Sequence, residues 1–194
     1  MKKLIIVLYN IFVLTFYRLF GLKIGVTSYI GFNKHLKKVR YIRIGKNCRL
    51  RRGISITCYN HNFKQELEPR LTIGNNVYIN SGFIGLISDK VTIEDNVTLG
   101  PNVSIMSHSH GLDPKSKSYL DNDLVVAPVT LKEGCWLGDK VIVLPGVTIG
   151  KKSVIGAGSV VTKSIDDYCI AVGNPCRIIK RYNFEKSCWE KVNG

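Results

Sequence analysis

Histidine is the side chain best suited to move a proton near neutral pH, and this sequence has four of them. Two, His108 and His110, lie two residues apart in the segment 107–110. The others, His35 and His61, lie in basic or polar surroundings and are expected to have no special role. A neutral imidazole takes a proton from a weak nucleophile such as a hydroxyl and returns it to a leaving group. Segment 107–110 is therefore the first candidate for chemistry.

Six cysteines offer thiols but no spacing typical of metal ligands. None belongs to a C-x-x-C pair, which argues against a zinc ribbon or a thioredoxin-like site. The chain is long enough to fold without disulfides and shows no clear secretory cleavage site, so reduced thiols in a cytoplasmic setting are expected. The six are Cys48, Cys58, Cys135, Cys169, Cys176 and Cys188.

An internal repeat predicts the elements that position these groups. An aliphatic residue recurs every six positions, most clearly at Leu131, Leu137, Val143, Ile149, Ile155 and Val161. Six is neither a helix period nor plain strand alternation. It fits a triangular coil in which each hexad forms one short strand and one corner, with the aliphatic side chain inward. The fifth position of each hexad is small or β-branched, which predicts that Cys48 and Cys135 lie in the core.

The repeat has one long interruption in this interpretation. Ile105 and Leu131 are separated by far more than one hexad, so about 107–128 must leave the coil as a loop that begins with the two histidines. Loops of this length are usually functional or disordered. The chain is thus predicted to be all-β, with an apolar N-terminal helix (1–22), a β-helix (23–166) and a C-terminal extension (167–194).

The net charge of +14 is concentrated near the N-terminus. Segment 1–70 holds 15 Lys and Arg against two acidic side chains, whereas 71–194 holds 13 against 12. Residues 4–20 are mostly apolar but fall short of the ~20 residues needed to span a bilayer. An apolar helix beside dense positive charge favours the inner face of an anionic membrane; packing on the body or on another subunit is the alternative. Nucleic acid is not an expected partner, because no recognised binding motif is present.

Five motifs then give the chain a resemblance to a known family. They are HGLDP (110–114), WLG (136–138), VLPGVTIG (143–150), IGAGSVVTK (155–163) and GNPCRIIK (173–180). With the hexads, they resemble the hexapeptide-repeat acyltransferases, in particular maltose and galactoside O-acetyltransferases and O-acetyltransferases of bacterial polysaccharide synthesis. The resemblance covers about residues 71–181. It implies a left-handed parallel β-helix, a homotrimer, and acetyl-CoA held between neighbouring subunits, with no metal required.

The resemblance also implies roles for single residues. His110, at the start of the loop, matches the general base. His108 is the nearest alternative for that role, and it could instead orient His110 or bind the acceptor. Asn80 and Asp89 match contacts to the acceptor. Contacts to acetyl-CoA are implied for Trp136, Gly138, Ala157, Thr162, Lys163, Arg177 and Lys180. Asp139 departs from the small neutral residue common at that position.

The expected activity is acetyl transfer from acetyl-CoA to a sugar hydroxyl in bacterial surface polysaccharide or glycan synthesis. The expected location is the cytoplasm, at the inner face of the cell membrane. The alternatives are N-acetylation of an amino sugar or antibiotic, and a non-catalytic membrane-associated scaffold. A metal enzyme such as a γ-type carbonic anhydrase needs three well-placed histidines, and two of the four here are poorly placed.

Overall fold

The computed structural model describes residues 2–192 except Asn33 and Lys64, with side chains described from residue 11 onward. Met1 of the predicted N-terminal helix and residues 193–194 of the predicted extension lie outside the described residues. The chain begins with helix α1 (Lys2–Leu19), continues as a coil of short strands and ends in antiparallel strands.

The coil has three faces, each a stack of parallel strands. Face 1 consists of β1 (Lys23–Ile24), β4 (Ile42–Ile44), β9 (Arg70–Ile73), β12 (Lys90–Ile93), β17 (Val129–Leu131) and β20 (Thr148–Ile149). Face 2 consists of β2 (Tyr29–Ile30), β5 (Arg49–Leu50), β10 (Tyr78–Ile79), β13 (Thr98–Leu99), β18 (Trp136–Leu137), β21 (Val154–Ile155) and β23 (Cys169–Gly173). Face 3 consists of β3 (His35–Lys37), β6 (Ser55–Cys58), β11 (Ile84–Ile87), β14 (Ser104–Met106), β19 (Ile142–Val143) and β22 (Val160–Val161).

The remaining strands and two short 3-10 helices lie outside the three parallel stacks. Strands β7 (His61–Asn62) and β8 (Gln65–Glu66) form one antiparallel pair, and β15 (His108–His110) and β16 (Leu124–Val126) form another. The 3-10 helices are Val39–Tyr41 and Tyr119–Asp121. The chain turns at Asn174–Pro175, and β24 (Cys176–Asn183) and β25 (Cys188–Lys191) extend face 2 in antiparallel fashion.

The hexad side chains fill the inside of the coil, as the repeat predicts. Leu131, Leu137 and Val143 are fully buried, and burial of each such side chain contributes about 1.5–3 kcal/mol. Cys48 and Cys135 are fully buried beside them, which confirms their predicted place in the core. Burial raises the pKa of the Cys135 thiol to about 12, so this sulfur is a packing group rather than a nucleophile.

One inward position departs from the aliphatic pattern. Gly85 lies in register between Ile56 and Ile105 on face 3. The fully buried ring of Phe83 fills the adjoining space, because a Cβ on Gly85 would lie 3.3 Å from its Cε1 atom. Phe83 therefore fills the space of the missing aliphatic group from the fifth position of its hexad, where the pattern otherwise has a small or β-branched residue.

Helix α1 packs on the start of the coil. Leu14 and Leu22 are buried in the common core, and Tyr17 packs against it. Arg18 donates a hydrogen bond from Nη2 to the carbonyl oxygen of Ile24, at 3.1 Å. Within the described part of the chain, no helix is both long and apolar enough to cross a membrane.

Candidate functional site

All extra residues leave the coil at one corner, where face 3 passes to face 1. Equivalent positions of successive turns on face 1 are Ile24, Ile44, Ile73, Ile93, Leu131 and Ile149. A turn without insertions consists of three hexads, which is the length of the last interval, from Leu131 to Ile149. The four earlier intervals are longer, so those four turns carry insertions. We call this edge of the prism the insertion corner. Because equivalent turns stack directly, insertions from different turns lie side by side there.

Two of these insertions are long, so the prediction of a single long interruption was wrong. The second one spans residues 59–69 and contains the β7–β8 pair. The sequence does carry a signal for this insertion. The hexad positions on either side of it are Ile56 and Ile73, and the interval between them is much longer than one hexad and not a multiple of six. The predicted loop at 107–128 does leave the coil, between β14 and β17.

The longer loop begins at a buried anchor. Ser107 is fully buried, and its hydroxyl accepts hydrogen bonds from the backbone N–H groups of Ser88 at 2.8 Å and Asp89 at 3.0 Å. Residues 88 and 89 lie at the short insertion of the preceding turn. The anchor therefore fixes where β15 starts, and alternation along that strand places His108 and His110 on one side and the exposed Ser109 on the other.

His108 is held by two other insertions. Its Nδ1 atom is hydrogen-bonded to Ser88 Oγ at 2.8 Å, and its ring meets the Tyr59 ring edge-on at 5.3 Å between centroids. Burial and the neighbouring His110 lower the pKa of His108 below its usual range. These contacts orient the imidazole, and its lowered pKa favours the neutral ring.

His110 is half-buried, and its Nδ1 atom is buried without a hydrogen-bond partner among the described residues. Across the β15–β16 pair it faces Leu124. The Gln65 side chain, from the 59–69 insertion, pairs with the backbone of Leu124: it donates to the carbonyl oxygen at 2.9 Å and accepts from the N–H at 2.8 Å. The strand opposite His110 is thereby tied to the second long insertion.

The residues after His110 form a turn. The Gly111 N–H donates to the Asp123 carbonyl oxygen at 3.0 Å, and Asn122 Nδ2 donates to the Gly111 carbonyl oxygen at 2.8 Å. Asp113 Oδ1 accepts from the Lys115 N–H at 2.9 Å. A side chain at position 111 would meet the Asp123 carbonyl oxygen at 3.0 Å, so the glycine allows this close return of the chain.

The two predicted acceptor contacts lie at different corners. Asp89 is at the insertion corner, where its Oδ1 accepts from the Lys90 N–H at 2.6 Å. Asn80 follows β10, at the corner between faces 2 and 3, and its Oδ1 accepts from the Ser81 N–H at 2.8 Å. Within one chain the structure therefore brings Asp89, but not Asn80, to the two histidines. Ser88, Tyr59 and Gln65 join them and were not predicted.

The predicted acetyl-CoA contacts form separate groups within one chain. The first is Trp136, 52% exposed on face 2, with Gly138 and Ala157 at the corner that follows; a Cβ on Gly138 would lie 2.7 Å from the Ala157 backbone nitrogen. Exposed Thr162 and Lys163 follow β22, at the insertion corner. Half-buried Lys180 and exposed Arg177 lie on β24, beside face 2.

The described residues contain no group of three or more His, Cys, Asp or Glu side chains that could hold a metal ion. The groups available for chemistry are instead two imidazoles, a serine hydroxyl and a tyrosine ring at one corner, with cations and an exposed indole on neighbouring surfaces.

Comparison with known proteins identifies the family. The family described as bacterial transferase hexapeptide (six repeats) matches residues 128–163. The chain is 33% identical over 188 residues to an Escherichia coli K12 protein that carries the name lipopolysaccharide biosynthesis O-acetyl transferase WbbJ, covering 84% of this chain and 94% of that protein. The chain belongs to the hexapeptide-repeat acyltransferase family.

Other relatives match over shorter stretches. The galactoside O-acetyltransferase of E. coli K12 is 40% identical over 111 residues, 57% of this chain and 54% of that enzyme. The chain spans about half the length of several such curated relatives. A solved structure of AntD, an N-acyltransferase from Bacillus cereus in complex with dTDP and coenzyme A, superposes with a TM-score of 0.70 at 23% identity, covering 85% of this chain and 87% of that one. This likeness confirms the hexapeptide-repeat left-handed β-helix.

Proposed function

We propose that this hexapeptide-repeat protein is an acetyl-CoA-dependent O-acetyltransferase with His110 as its general base. The acceptor is a sugar hydroxyl of a bacterial surface polysaccharide or glycan. The observation that carries the proposal is the half-buried His110 imidazole at the insertion corner, at the start of the 107–128 loop, beside His108, whose lowered pKa favours the neutral ring. The near full-length match to WbbJ supports the acceptor class.

The geometry supports a direct transfer without a covalent enzyme intermediate. The neutral His110 ring takes the proton of the sugar hydroxyl as its oxygen attacks the thioester carbonyl carbon. The tetrahedral intermediate then collapses, the carbon–sulfur bond breaks, and the imidazolium returns the proton to the departing thiolate. His108, neutral and fixed by Ser88 and Tyr59, holds the adjoining surface and is available to bind the acceptor.

We also propose that the complete site forms between neighbouring subunits of a homotrimer. The expected acetyl-CoA contacts lie on face 2 and on the insertion corner, which are different sides of one prism. Two chains that meet side by side would bring one group from each into a shared groove. Lys163, Arg177 and Lys180 provide cations for the phosphates of coenzyme A, and Trp136 provides an exposed aromatic surface.

The test measures release of coenzyme A from acetyl-CoA against sugars, nucleotide sugars and lipid-linked glycans, with mass spectrometry of the products. The proposal expects an acetyl ester, which mild base removes; an acetyl amide, which resists it, would show N-transfer instead. His110→Ala should lower kcat by about 10²–10⁴-fold, the usual contribution of a general base.

Ser109→Ala is the matched control, because Ser109 lies between the two histidines on the opposite, exposed side of β15. It should retain activity. Full turnover by His110→Ala would show that His110 is not the base.

A further inference from the structure

The solvent-exposed surface of α1 carries an apolar stripe. Four large apolar side chains of α1, and Phe20 directly after the helix, are each between 50% and 81% exposed: Ile11, Phe12, Phe16, Leu19 and Phe20. The Phe16 and Phe20 rings lie 4.9 Å apart between centroids. Leu14, on the opposite side of the helix, is buried against the coil. A contiguous exposed apolar surface of this kind marks an interaction site.

A groove of about 600 Å³ lies between the C-terminal end of α1 and the first turn of the coil. Phe16, Phe20 and Leu36 give it apolar walls, and the exposed cations Lys38 and Arg40 also line it. The stripe therefore continues into a recess that combines hydrocarbon surface with positive charge.

Arg40 also lines a second cavity, of about 350 Å³, together with Arg43, Arg70 and Glu68. The four ion pairs between described residues all lie within residues 132–190, so none involves these three arginines. Three guanidinium groups against one carboxylate leave the cavity positive. Guanidinium groups bind phosphate oxygens in a bidentate manner.

We propose that this end of the molecule docks on the surface of an anionic phospholipid bilayer. The stripe of α1 enters the boundary between headgroups and acyl chains, and Arg40, Arg43 and Arg70 contact headgroup phosphates. An amphipathic helix in this position lies in the plane of the interface and buries its apolar side by about 5–10 Å. The proposal does not depend on the acetyl-transfer reaction.

Charge complementarity favours a bilayer over a second copy of this chain as the occupant. Segment 1–70 holds 15 Lys and Arg against two acidic side chains. Two copies that met through their stripes would bring these positive ends together, which is unfavourable because like charges repel. An anionic lipid surface instead attracts juxtamembrane basic residues.

The test is flotation of the full-length protein with vesicles of phosphatidylcholine alone or of phosphatidylcholine with phosphatidylglycerol. Binding should require phosphatidylglycerol and weaken in high salt, because salt screens the charge. Phe16→Ser/Phe20→Ser and Arg40→Gln/Arg43→Gln should each weaken binding by about tenfold or more. The single variant Phe12→Ser, at a 75% exposed position, should weaken it in the same direction with the least disturbance of the fold.

Matched controls lie outside the positive segment 1–70. Phe184→Ser removes a phenylalanine that is 63% exposed, against 61% for Phe20, and Lys140→Gln/Lys191→Gln removes two exposed cations. Both should bind vesicles like the parent protein.

Equal binding to the two kinds of vesicle, or unchanged binding of the α1 and arginine variants, would refute the proposal. So would α1 variants that change only the mass measured by light scattering, since the stripe would then be an interface between copies.

Discussion

At the scale of single residues, His108 lies where protonation is disfavoured. Burial is the larger cause of its lowered pKa, and the neighbouring His110 is the second. The Ser88 hydroxyl is hydrogen-bonded to its Nδ1 atom, and the Tyr59 ring meets its ring edge-on. The lowered pKa favours the neutral form of the ring next to the proposed base, and a neutral ring does not oppose transient protonation of His110.

The lowered pKa of His108 predicts a pH dependence of stability. In the unfolded chain the ring takes up a proton below its ordinary pKa of about 6.5, whereas in the folded protein it does so only at lower pH. The unfolded state thus binds more protons in this interval, and the free energy of unfolding should fall as the pH drops below about 6.5. Denaturant titrations at a series of pH values would measure the slope.

His108→Gln removes the titrating group but keeps a hydrogen-bonding side chain near Ser88, so its slope in this interval should be shallower. Ser109→Ala should keep the slope of the parent protein. Identical slopes for all three proteins would contradict the assignment to His108.

The two histidines could be predicted from the sequence, whereas their supporting residues could not. His108 and His110 are marked by their place at a break in a regular repeat. Ser88 and Tyr59 lie far before His108 in the chain, and they reach it only because insertions from different turns stack at one corner. Asp89 was assigned to the acceptor from the family resemblance, and its neighbour Ser88, for which no role was predicted, is hydrogen-bonded to His108.

At the scale of elements, the 59–69 insertion fixes the loop that carries the histidines. Gln65 makes two hydrogen bonds to the Leu124 backbone, directly across from His110. Gln65→Leu removes both and leaves backbone groups unsatisfied, a loss of about 1–3 kcal/mol. We expect faster amide hydrogen exchange in residues 107–128 and a lower kcat, with the rest of the coil unchanged.

Glu66→Ala is the control for this change, because the neighbouring Glu66 side chain is exposed. It should leave exchange in the loop unaltered. Equal exchange in Gln65→Leu and the parent protein would show that the loop is held by its own contacts, such as Asn122 with Gly111.

The regular strands follow from the hexads alone, because each inward aliphatic side chain needs only the local six-residue period. Two local features do not follow. Gly85 breaks the pattern where the Phe83 ring takes over the core position. The insertion at 59–69 separates two well-formed hexad runs, and the sequence does not show that it meets the later loop.

At the scale of the whole molecule, charge is distributed unevenly along the prism. Segment 1–70 has 15 Lys and Arg against two acidic side chains, and 71–194 has 13 against 12. The ion pairs between described residues follow the same division, since all four lie within residues 132–190. The coil stacks its turns in chain order, so the excess charge is confined to the end of the prism beside α1.

This distribution predicts that salt stabilises the isolated protein while it weakens binding to anionic vesicles. At 0.1 M ionic strength, counterions screen the repulsion between exposed cations that are more than about 10 Å apart. The unfavourable electrostatic free energy of bringing the cations together on folding therefore falls as NaCl increases. Relief of about 1 kcal/mol would raise Tm by about 2–4 °C in a chain of this size.

Arg49→Gln/Arg51→Gln removes two exposed cations from the positive end and should make Tm less dependent on NaCl. Lys140→Gln/Lys191→Gln, which removes equal charge elsewhere, should retain most of the dependence. If both variants respond to salt alike, the repulsion is spread over the molecule rather than concentrated beside α1.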